Sequence, residues 1–244
     1  MAEWAAKRFW QTVSCVPEGS GYAIHLDVRP LRTPAKTPVI LPTLALARAV
    51  AAEWQAQESL INPLTMPHTR SANAALDKVA PQRGAVQDMI AAYCGTDLLC
   101  YRAASPDSLI AAQVAAWDPA LDWARGTFGA ALRVTTGVMP VEQPQEALAT
   151  LTATMSDMSD FAIVGFHDLV SLSGSFVLGL AVARGQIAPD TGWALSRTDE
   201  EWQAQQWGHD DDAEEKAAIR RAAFLHAHQF ITLANQADDS ESSA

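Results

Sequence analysis

The chain has 244 residues, a net charge of −11 and a sequence pI of about 4.9. Hydrophobic residues make up 49% and charged residues only 18%, which supports a sizeable core and excludes a disordered chain. Residues 1–100 have a net charge of +1 and residues 101–244 one of −12. This acidity argues against a nucleic-acid partner, because phosphates attract basic surfaces.

The first strand prediction comes from residues 22–28, where apolar and polar side chains alternate with a period of two. With residues 10–16 and a turn at 17–21, this pattern predicts a β-hairpin. Four prolines spaced over residues 30–42 then favour edge strands or an extended arm. The first helix is expected after Pro42 and as far as about Glu58, where apolar residues recur at helical spacing.

From Arg70 onward the composition is mainly helical, apart from a strand or extended link at residues 97–102. Helix starts are predicted at Ser105–Pro106 and Gln143–Pro144, because proline suits the first turn. Three further helices are predicted at Ser159–Arg184, Pro189–Gly208 and from Asp210–Asp212 to about Leu233.

These elements predict an α+β fold with two domains. A small mixed domain of strands and helices is expected over residues 1–75, an α-helical domain over 76–235 and a disordered tail over 236–244. The apolar stretch from Phe161 to Ala183 is interrupted by His167 and Asp168, and spanning a bilayer takes about 20 apolar residues. We therefore expect a buried helix there and no membrane insertion.

The cysteine pattern and the amino-terminal residues indicate the compartment. Cys15, Cys94 and Cys100 form no C-x-x-C pair and cannot all be paired in disulfides, which favours a reducing environment. The first ten residues lack the apolar core of a secretory signal. We expect a bacterial cytoplasmic protein, or a mitochondrial matrix protein that has been processed.

Motifs for catalysis are scarce. The sequence contains neither a G-x-x-x-x-G-K-[ST] phosphate loop nor a G-x-G-x-x-G turn between strand and helix. His226 and His228 lack the spacing of a zinc helix and are interpreted as surface histidines, so we expect no metal and no cofactor. His167–Asp168 is the most enzyme-like pair, yet adjacent helical residues point about 100° apart, so a side-chain hydrogen bond between them is not expected.

Acidic residues and tryptophans are concentrated between residues 190 and 215. Nine acids lie there with a single basic residue, Arg197, and with Trp193, Trp202 and Trp207. Such a pattern is typical of a protein-binding helix with aromatic anchors and an acidic rim. Core tryptophans beside solvated acids would give the same spacing, and both interpretations remain open.

Five segments of the sequence resemble the chaperone family that assembles the catalytic head of F-type ATP synthase, in the branch that attends the alpha subunit. The segments follow the family's order: RPLRTPAKTPVILP (29–42), EWQAQESLINPLTMPHTRSANAALDKV (53–79), YCGTDLLCYRA (93–103), WDPALDWA (117–124) and DEEWQAQQWG (199–208). One departure is His68, where the family usually has an apolar residue, which puts the packing near that loop in question.

The resemblance implies a two-domain, non-enzymatic and ATP-independent chaperone, monomeric when free. It would bind the unassembled alpha subunit and prevent its aggregation before hexamer assembly. It also implies an essential acidic position before the Q-x-x-x-W-G element, with Glu200 as the first candidate and Asp199 and Glu201 as alternatives. Trp202 or Trp207 is expected to supply an aromatic anchor.

Two other hypotheses come from different functional classes. The first is a small-molecule enzyme that uses His167, Asp168 and Arg70 in a cleft between the domains. The second is a scaffold that remains in the finished complex.

Overall fold

The computed structural model describes residues 7–237, which form two compact units. One unit contains, of the described residues, 7–83, 159–164 and 229–237. The other contains residues 84–158 and 165–228. The predicted boundary at residue 75 stays a prediction, and residues 238–244 of the predicted tail lie outside the described residues.

The strands of the first unit form the predicted hairpin and a small sheet. Strand β1 pairs with β2 in antiparallel register, with Val13 opposite Leu26 and Glu18 opposite Gly21. The other edge of β2 pairs with both β3 and β4. The strands are β1 (Val13–Glu18), β2 (Gly21–Leu26), β3 (Arg29–Pro30) and β4 (Ile40–Leu41).

Helix α1 (Leu44–Gln55) follows the proline-rich segment as predicted, with Thr43 as its N-cap. The Thr43 hydroxyl oxygen accepts a hydrogen bond from the amide of Leu46 at 3.1 Å and donates one to the carbonyl of Leu233 at 2.6 Å. Buried side chains of α1 face the sheet, where Ile24 and Leu41 are fully buried. The period-two pattern of β2 and the helical period of α1 thus contribute to one apolar core.

His68, in the first turn of helix α2 (Pro67–Ala74), belongs to a polar cluster at a position where the family usually has an apolar residue. His68 Nδ1 lies 2.9 Å from Glu53 Oε1, and both the amide and the hydroxyl of Thr69 donate to Glu53 Oε2. Burial opposes ionisation of Glu53, but the hydrogen bonds from His68 and Thr69 outweigh it and lower the pKa of this carboxyl. The unusual histidine therefore has a defined partner.

The helical conformation continues from α2 (Pro67–Ala74) through a π-helical segment and a short 3₁₀ turn into α3 (Arg83–Gly95). The predicted link at residues 97–102 forms a 3₁₀ turn and a two-residue strand that pairs in parallel with β6. The remaining elements are β5 (Tyr101–Arg102), α4 (Asp107–Phe128), β6 (Thr135–Thr136), α5 (Gln145–Ala153), α6 (Asp160–Ser173), α7 (Phe176–Ala183), α8 (Pro189–Ser196), α9 (Thr198–Trp207) and α10 (Asp211–Asn235).

The long helix predicted from Ser159 to Arg184 is wrong, because it divides into α6 and α7. Gly174 has a φ of 72°, a left-handed conformation that glycine adopts without strain and that ends a helix. Ser175 then starts α7, accepting a hydrogen bond from the Leu178 amide on its side-chain oxygen. Since α7 is apolar all round, its hydropathy pattern gives no sign of this break.

The single helix predicted from Pro189 to Gly208 is also two helices, α8 and α9. Arg197 separates them with φ −113° and ψ 17°, outside the helical range. Gly208, with a φ of 94°, ends α9 as expected. The α4 and α5 helices begin one or two residues later than predicted, with Pro106 and Pro144 as their N-caps.

A buried aspartate joins the start of α7 to the segment that precedes β5. Asp97 is fully buried, and its two carboxylate oxygens accept hydrogen bonds from the amides of Leu99 and Val177, each at 3.0 Å. Burial raises the pKa of Asp97 to about 6, although the hydrogen bonds from Val177, Ser175 and Leu99 act in the opposite direction. The carboxylate of Asp97 therefore satisfies backbone donors at the start of α7 that would otherwise be unpaired.

Candidate functional site

The acidic residues singled out in the sequence lie in the first turn of α9. Asp199, Glu200 and Glu201 occupy this turn, where carboxylates meet the positive end of the helix dipole. No residue of α9 is buried, although the helix packs on α4 within the same unit. The side chains of α9 are therefore either exposed to solvent or half-buried.

Asp199 is directed towards the protein. Its Oδ1 atom accepts a hydrogen bond from Nε2 of Gln113, a buried residue of α4, at 2.7 Å. The Gln113 side-chain oxygen in turn accepts from the amide of Ala103 at 2.8 Å. This chain of hydrogen bonds positions α9, so the Asp199 carboxylate is occupied within the unit.

Glu200 and Glu201 are exposed. The side chain of Glu200 is 50% exposed, and its Oε1 lies 3.1 Å from Nη1 of Arg197. The Arg197 guanidinium lies 5.8 Å from the ring centroid of Trp193, which is almost fully buried. Of the three predicted acids, Glu200 is thus the one with an intramolecular ion pair at the surface, and Glu201 faces solvent.

The two predicted aromatic anchors are in contact with each other. The rings of Trp202 and Trp207 meet edge to face, with centroids 5.8 Å apart and planes at 89°. Trp202 is half-buried, whereas Trp207 is 76% exposed. A tryptophan exposed to this extent leaves much apolar surface in water, which a binding partner would cover.

A pocket of about 360 Å³ opens beside the first turn of α9. Asp199, Glu200 and Arg197 lie on one side of it and Arg220 of α10 on another, where an Arg220 Nη2 donates to the carbonyl of Leu172 at 3.0 Å. Its remaining walls include two tryptophans and the end of α6, in the residues Leu98, Trp117, Ser171–Gly174, Trp193, Ser196 and Gln203. The pocket therefore combines an aromatic surface with acidic and basic groups.

His167 and Asp168, the pair most suggestive of an enzyme, make a contact that was not predicted. His167 Nδ1 and Asp168 Oδ1 lie 3.0 Å apart, so the expectation that these neighbours do not hydrogen-bond is wrong. Both side chains are partly exposed, at 35% for His167 and 43% for Asp168. Neither residue lines the pocket beside α9.

The other candidates for chemistry show no reactive arrangement. Burial raises the pKa of the Cys100 thiol to about 12 and that of Cys94 even further, so both remain protonated at neutral pH. Within residues 7–237, His, Cys, Asp and Glu side chains form no group that could hold a metal ion. His226 and His228 are half-buried, not surface residues as predicted.

Sequence reasoning missed several residues of this region. Gln113 lies 86 positions before Asp199, and no local pattern connects the two. Arg220 and the end of α6 reach the pocket only through the tertiary fold. The ion pair of Arg197 and Glu200 has an i, i+3 spacing that could have been identified from the sequence.

The described chain contains no helix whose length and apolar run would suffice to cross a membrane.

Residues 7–125 match the family model of the ATP12 chaperone protein. The mitochondrial Atp12 protein of Schizosaccharomyces pombe is 23% identical over 224 residues, covering 86% of this chain and 76% of that protein.

Solved structures give a closer comparison. Atp12 from Paracoccus denitrificans is 51% identical with a TM-score of 0.92, and the match covers 96% of this chain and 100% of that one. An aspartate-to-lysine mutant of the same protein matches at 50% identity, with the same coverage and the same TM-score. The Atu1473 protein of Agrobacterium tumefaciens is 40% identical with a TM-score of 0.88, over 94% of this chain and 86% of that one.

The identity to the Paracoccus protein extends over its full length, and the α+β architecture predicted from the sequence is the one these structures share. The chain belongs to the ATP12 chaperone family, the factors that assemble the catalytic head of ATP synthase.

Proposed function

We propose that this chaperone binds the unassembled alpha subunit of the F-type ATP synthase, without ATP, and releases it to the beta subunit. The observation that carries the proposal is α9, which contributes no buried residue and presents two exposed carboxylates and an exposed tryptophan. Aromatic anchors with a charged rim are typical of protein-binding surfaces.

The surface of α9 is suited to an unassembled subunit with exposed apolar interface. A subunit that will be enclosed by neighbours exposes interface of the obligate kind, about 2,000 Å² or more and strongly apolar. Apolar patches of that size lead to aggregation unless they are covered. An anchor such as Trp207 covers apolar client surface, while carboxylates at the rim favour the correct orientation of the client.

Reversible binding explains release without an energy source. The full sequence contains no nucleotide-binding glycine motif, so the proposed exchange is driven by the beta subunit, which competes for the same client surface. A contact made by a few residues is displaced more easily than an obligate interface. We expect the free chaperone to be a monomer, and no membrane or nucleic acid takes part in the proposed cycle.

The acids of α9 have different roles in this proposal. Asp199 is held by Gln113 and positions the helix, whereas Glu200 lies at the surface and pairs with a basic group of the client. Glu201 adds negative charge beside it, and Trp202 supports the ring of Trp207. In Paracoccus denitrificans Atp12, an aspartate-to-lysine mutant keeps the fold, so charge reversal at one acidic site is structurally tolerated in a relative.

Two relatives support a proposal for the compartment. They are a mitochondrial protein and a protein of a bacterium. We place this chaperone in the bacterial cytoplasm, or in the mitochondrial matrix if it is a processed form.

The test is co-expression with an alpha subunit, with the soluble fraction of the client as the measurement. Wild-type chaperone should keep the client soluble, and Glu200→Lys should abolish this rescue while the melting temperature of the chaperone is unchanged. The matched control is Asp122→Lys, because Asp122 also pairs with an arginine three residues away, on the exposed surface of α4. Full rescue by Glu200→Lys and by the corresponding variants of Asp199 and Glu201 would refute the charged contact.

A small-molecule enzyme is the second candidate, favoured by the 3.0 Å contact between His167 and Asp168. His167→Ala separates the two candidates, because a chaperone acting through α9 should keep its rescue activity. Co-purification separates a chaperone from a scaffold, since a chaperone is found with free alpha subunit and is absent from the mature synthase.

A further inference from the structure

The segment that connects α4 to α5 has an exposed apolar tip. Val138 is 90% exposed and the adjacent Met139 is 73% exposed. Both belong to residues 129–144, in which the two-residue strand β6 is the regular element. Connections of this length are uncommon in compact domains and are often functional when their own contacts hold them in place. The apolar area of such a tip is favourably covered by a partner.

Hydrogen bonds fix the base of this loop. The buried Gln143 accepts a hydrogen bond on Oε1 from the amide of Arg133 at 2.7 Å and donates one from Nε2 to the Arg133 carbonyl at 2.9 Å. The amide of Gly137 donates to the carbonyl of Arg102 at 2.7 Å, next to the pairing of β5 with β6. The exposure of Val138 and Met139 is therefore a consequence of how the loop is folded.

A groove of about 220 Å³ lies between the loop and α4. Its charged groups are already paired, because Asp118 binds Arg102 at 2.7 Å and Asp122 binds Arg125 at 2.8 Å. The groove therefore offers apolar surface to an occupant. That surface is supplied by Leu121, Ala131, Leu132 and Val134.

We propose that the tip and this groove contact apolar interface surface of the unassembled alpha subunit, as a second client-binding site beside α9. The inference rests on the proposed function and extends it by naming a further part of the chaperone and the class of client surface that it takes. The two sites border the same helix. Gln113 of α4 holds Asp199 of α9, and Leu121, which lines the groove, lies eight residues further along, about 12 Å at 1.5 Å per residue.

The extent of the loop site argues against a second copy of this chain as its occupant. A stable dimer buries about 800 Å² on each partner, and two tip side chains with a groove of 220 Å³ supply much less. A small contact that adds to the one at α9 suits a client that must later be released. Methionine is well suited to such a contact, because its flexible side chain adapts to different apolar surfaces.

The charge of the unit argues against a lipid surface. Residues 84–158 and 165–228, which form the unit that contains the loop, have 8 basic and 18 acidic side chains, a net charge of −10. Anionic membranes attract basic segments and repel acidic ones. An apolar protein surface experiences no such repulsion, and an unassembled subunit exposes one of the obligate kind.

The test is a double variant, Val138→Ser with Met139→Ser, measured as the dissociation constant of the purified full-length chaperone for purified alpha subunit. We expect affinity to fall at least five-fold, because the apolar contact is lost. The melting temperature should not change, since both side chains are exposed. The matched control is Val28→Ser with Met89→Ser, because these side chains are also exposed, at 88% and 57%, and it should leave affinity unchanged.

Other results would overturn the inference. Equal affinity of Val138→Ser/Met139→Ser and the wild type removes the loop from the client surface. The same conclusion follows if this variant keeps its affinity but loses self-association in sedimentation, or loses flotation with phosphatidylglycerol vesicles. Failure of the wild-type chaperone to bind alpha subunit is a distinct result, which refutes the proposed function and the inference with it.

Discussion

Helices α7 and α9 belong to the same unit and have similar lengths, yet they are opposite in burial. Every residue of α7 from Phe176 to Val182 is buried, whereas α9 contains no buried residue. Both helices begin next to carboxylates. At α7 the carboxylate is Asp97, supplied from a distant segment and fully enclosed, and at α9 the acids belong to the helix itself.

This difference in burial distinguishes residues that the fold requires from residues that could contact a partner. A buried carboxylate that satisfies backbone donors cannot be altered without leaving those donors unpaired. Substitution of an exposed acidic residue in a first helical turn changes the free energy of unfolding only slightly, because water replaces the contacts of the carboxylate. We therefore expect substitutions near α7 to change stability and substitutions on α9 to change client binding.

The largest effect is expected for Asp97→Ala, which removes the acceptor for the Leu99 and Val177 amides. Each unpaired buried donor costs about 1–3 kcal/mol, so the loss of the acceptor for two donors should lower the free energy of unfolding by roughly 2–6 kcal/mol. Urea denaturation measures this change. Asp122→Ala, at an exposed aspartate of α4, should alter stability by less than about 0.5 kcal/mol.

The next effect concerns pH. Because the pKa of Asp97 in the folded protein is about 6, above its unfolded value, the folded state binds the proton more tightly. The contribution of Asp97 to the unfolding free energy is complete below about pH 4 and is lost as the pH rises through 6. Each unit by which the folded-state pKa is raised corresponds to about 1.36 kcal/mol, so the total loss is about 2–3 kcal/mol. From pH 4 to 7, the unfolding free energy of the wild type should therefore fall relative to that of Asp97→Asn, whose side chain does not titrate.

If the unfolding free energies of the wild type and Asp97→Asn change with pH in parallel, Asp97 is not the titrating group.

The carboxyl of Glu53 should affect the pH dependence of stability in the opposite direction. Its pKa is lowered, so its stabilisation is present at neutral pH and is lost as the pH falls below the ordinary range of a glutamate.

A smaller decrease in the free energy of unfolding is expected for a substitution at the contact between α7 and α8. A Cβ atom added at Gly192 would lie 2.4 Å from Cγ2 of Val182, a fully buried side chain. Gly192→Ala should therefore cost about 1–3 kcal/mol through overpacking, measured by thermal or urea unfolding. At Gly126 of α4 nothing lies within 4 Å of an added Cβ, so Gly126→Ala should stabilise the protein by about 0.5–1 kcal/mol.

The smallest change in stability is expected on α9, with Trp207→Ala. This side chain is 76% exposed, so the free energy of unfolding should change by less than about 0.5 kcal/mol. If Trp207 is an anchor, affinity for alpha subunit should fall at least about ten-fold, as at hot spots of other interfaces. Equal affinity of the variant and the wild type would remove Trp207 from the proposed binding surface.

Local chemistry explains the predictions that the structure confirms. The hairpin depends on a period of two and a glycine-containing turn, α1 on a helical period after a proline, and the end of α9 on Gly208. The start of α10 at Asp211 likewise lies within the run Asp210–Asp212, as predicted, and Asp210 Oδ1 accepts from the Asp212 amide at 3.0 Å. The acidic character of the α9 surface could also be predicted, since it needs only the residue types.

The incorrect predictions concern features that depend on residues far apart in the chain or on side-chain conformation. A helix surrounded by apolar neighbours is hydrophobic on all faces, so the pattern around Gly174 could not reveal where α6 ends and α7 begins. The contact between His167 and Asp168 depends on side-chain rotamers, which spacing along a helix does not determine.

The amino-acid sequence by itself indicated the α+β class and the concentration of acids and tryptophans near the carboxyl-terminal end, because these depend on composition and periodicity. It indicated the family through the resemblance of five of its segments to known members. Only the tertiary structure decided which of those acids are available to a partner. Gln113 binds Asp199 from 86 positions away and the core encloses Asp97, because folding brings polar groups together wherever burial would leave them unsatisfied.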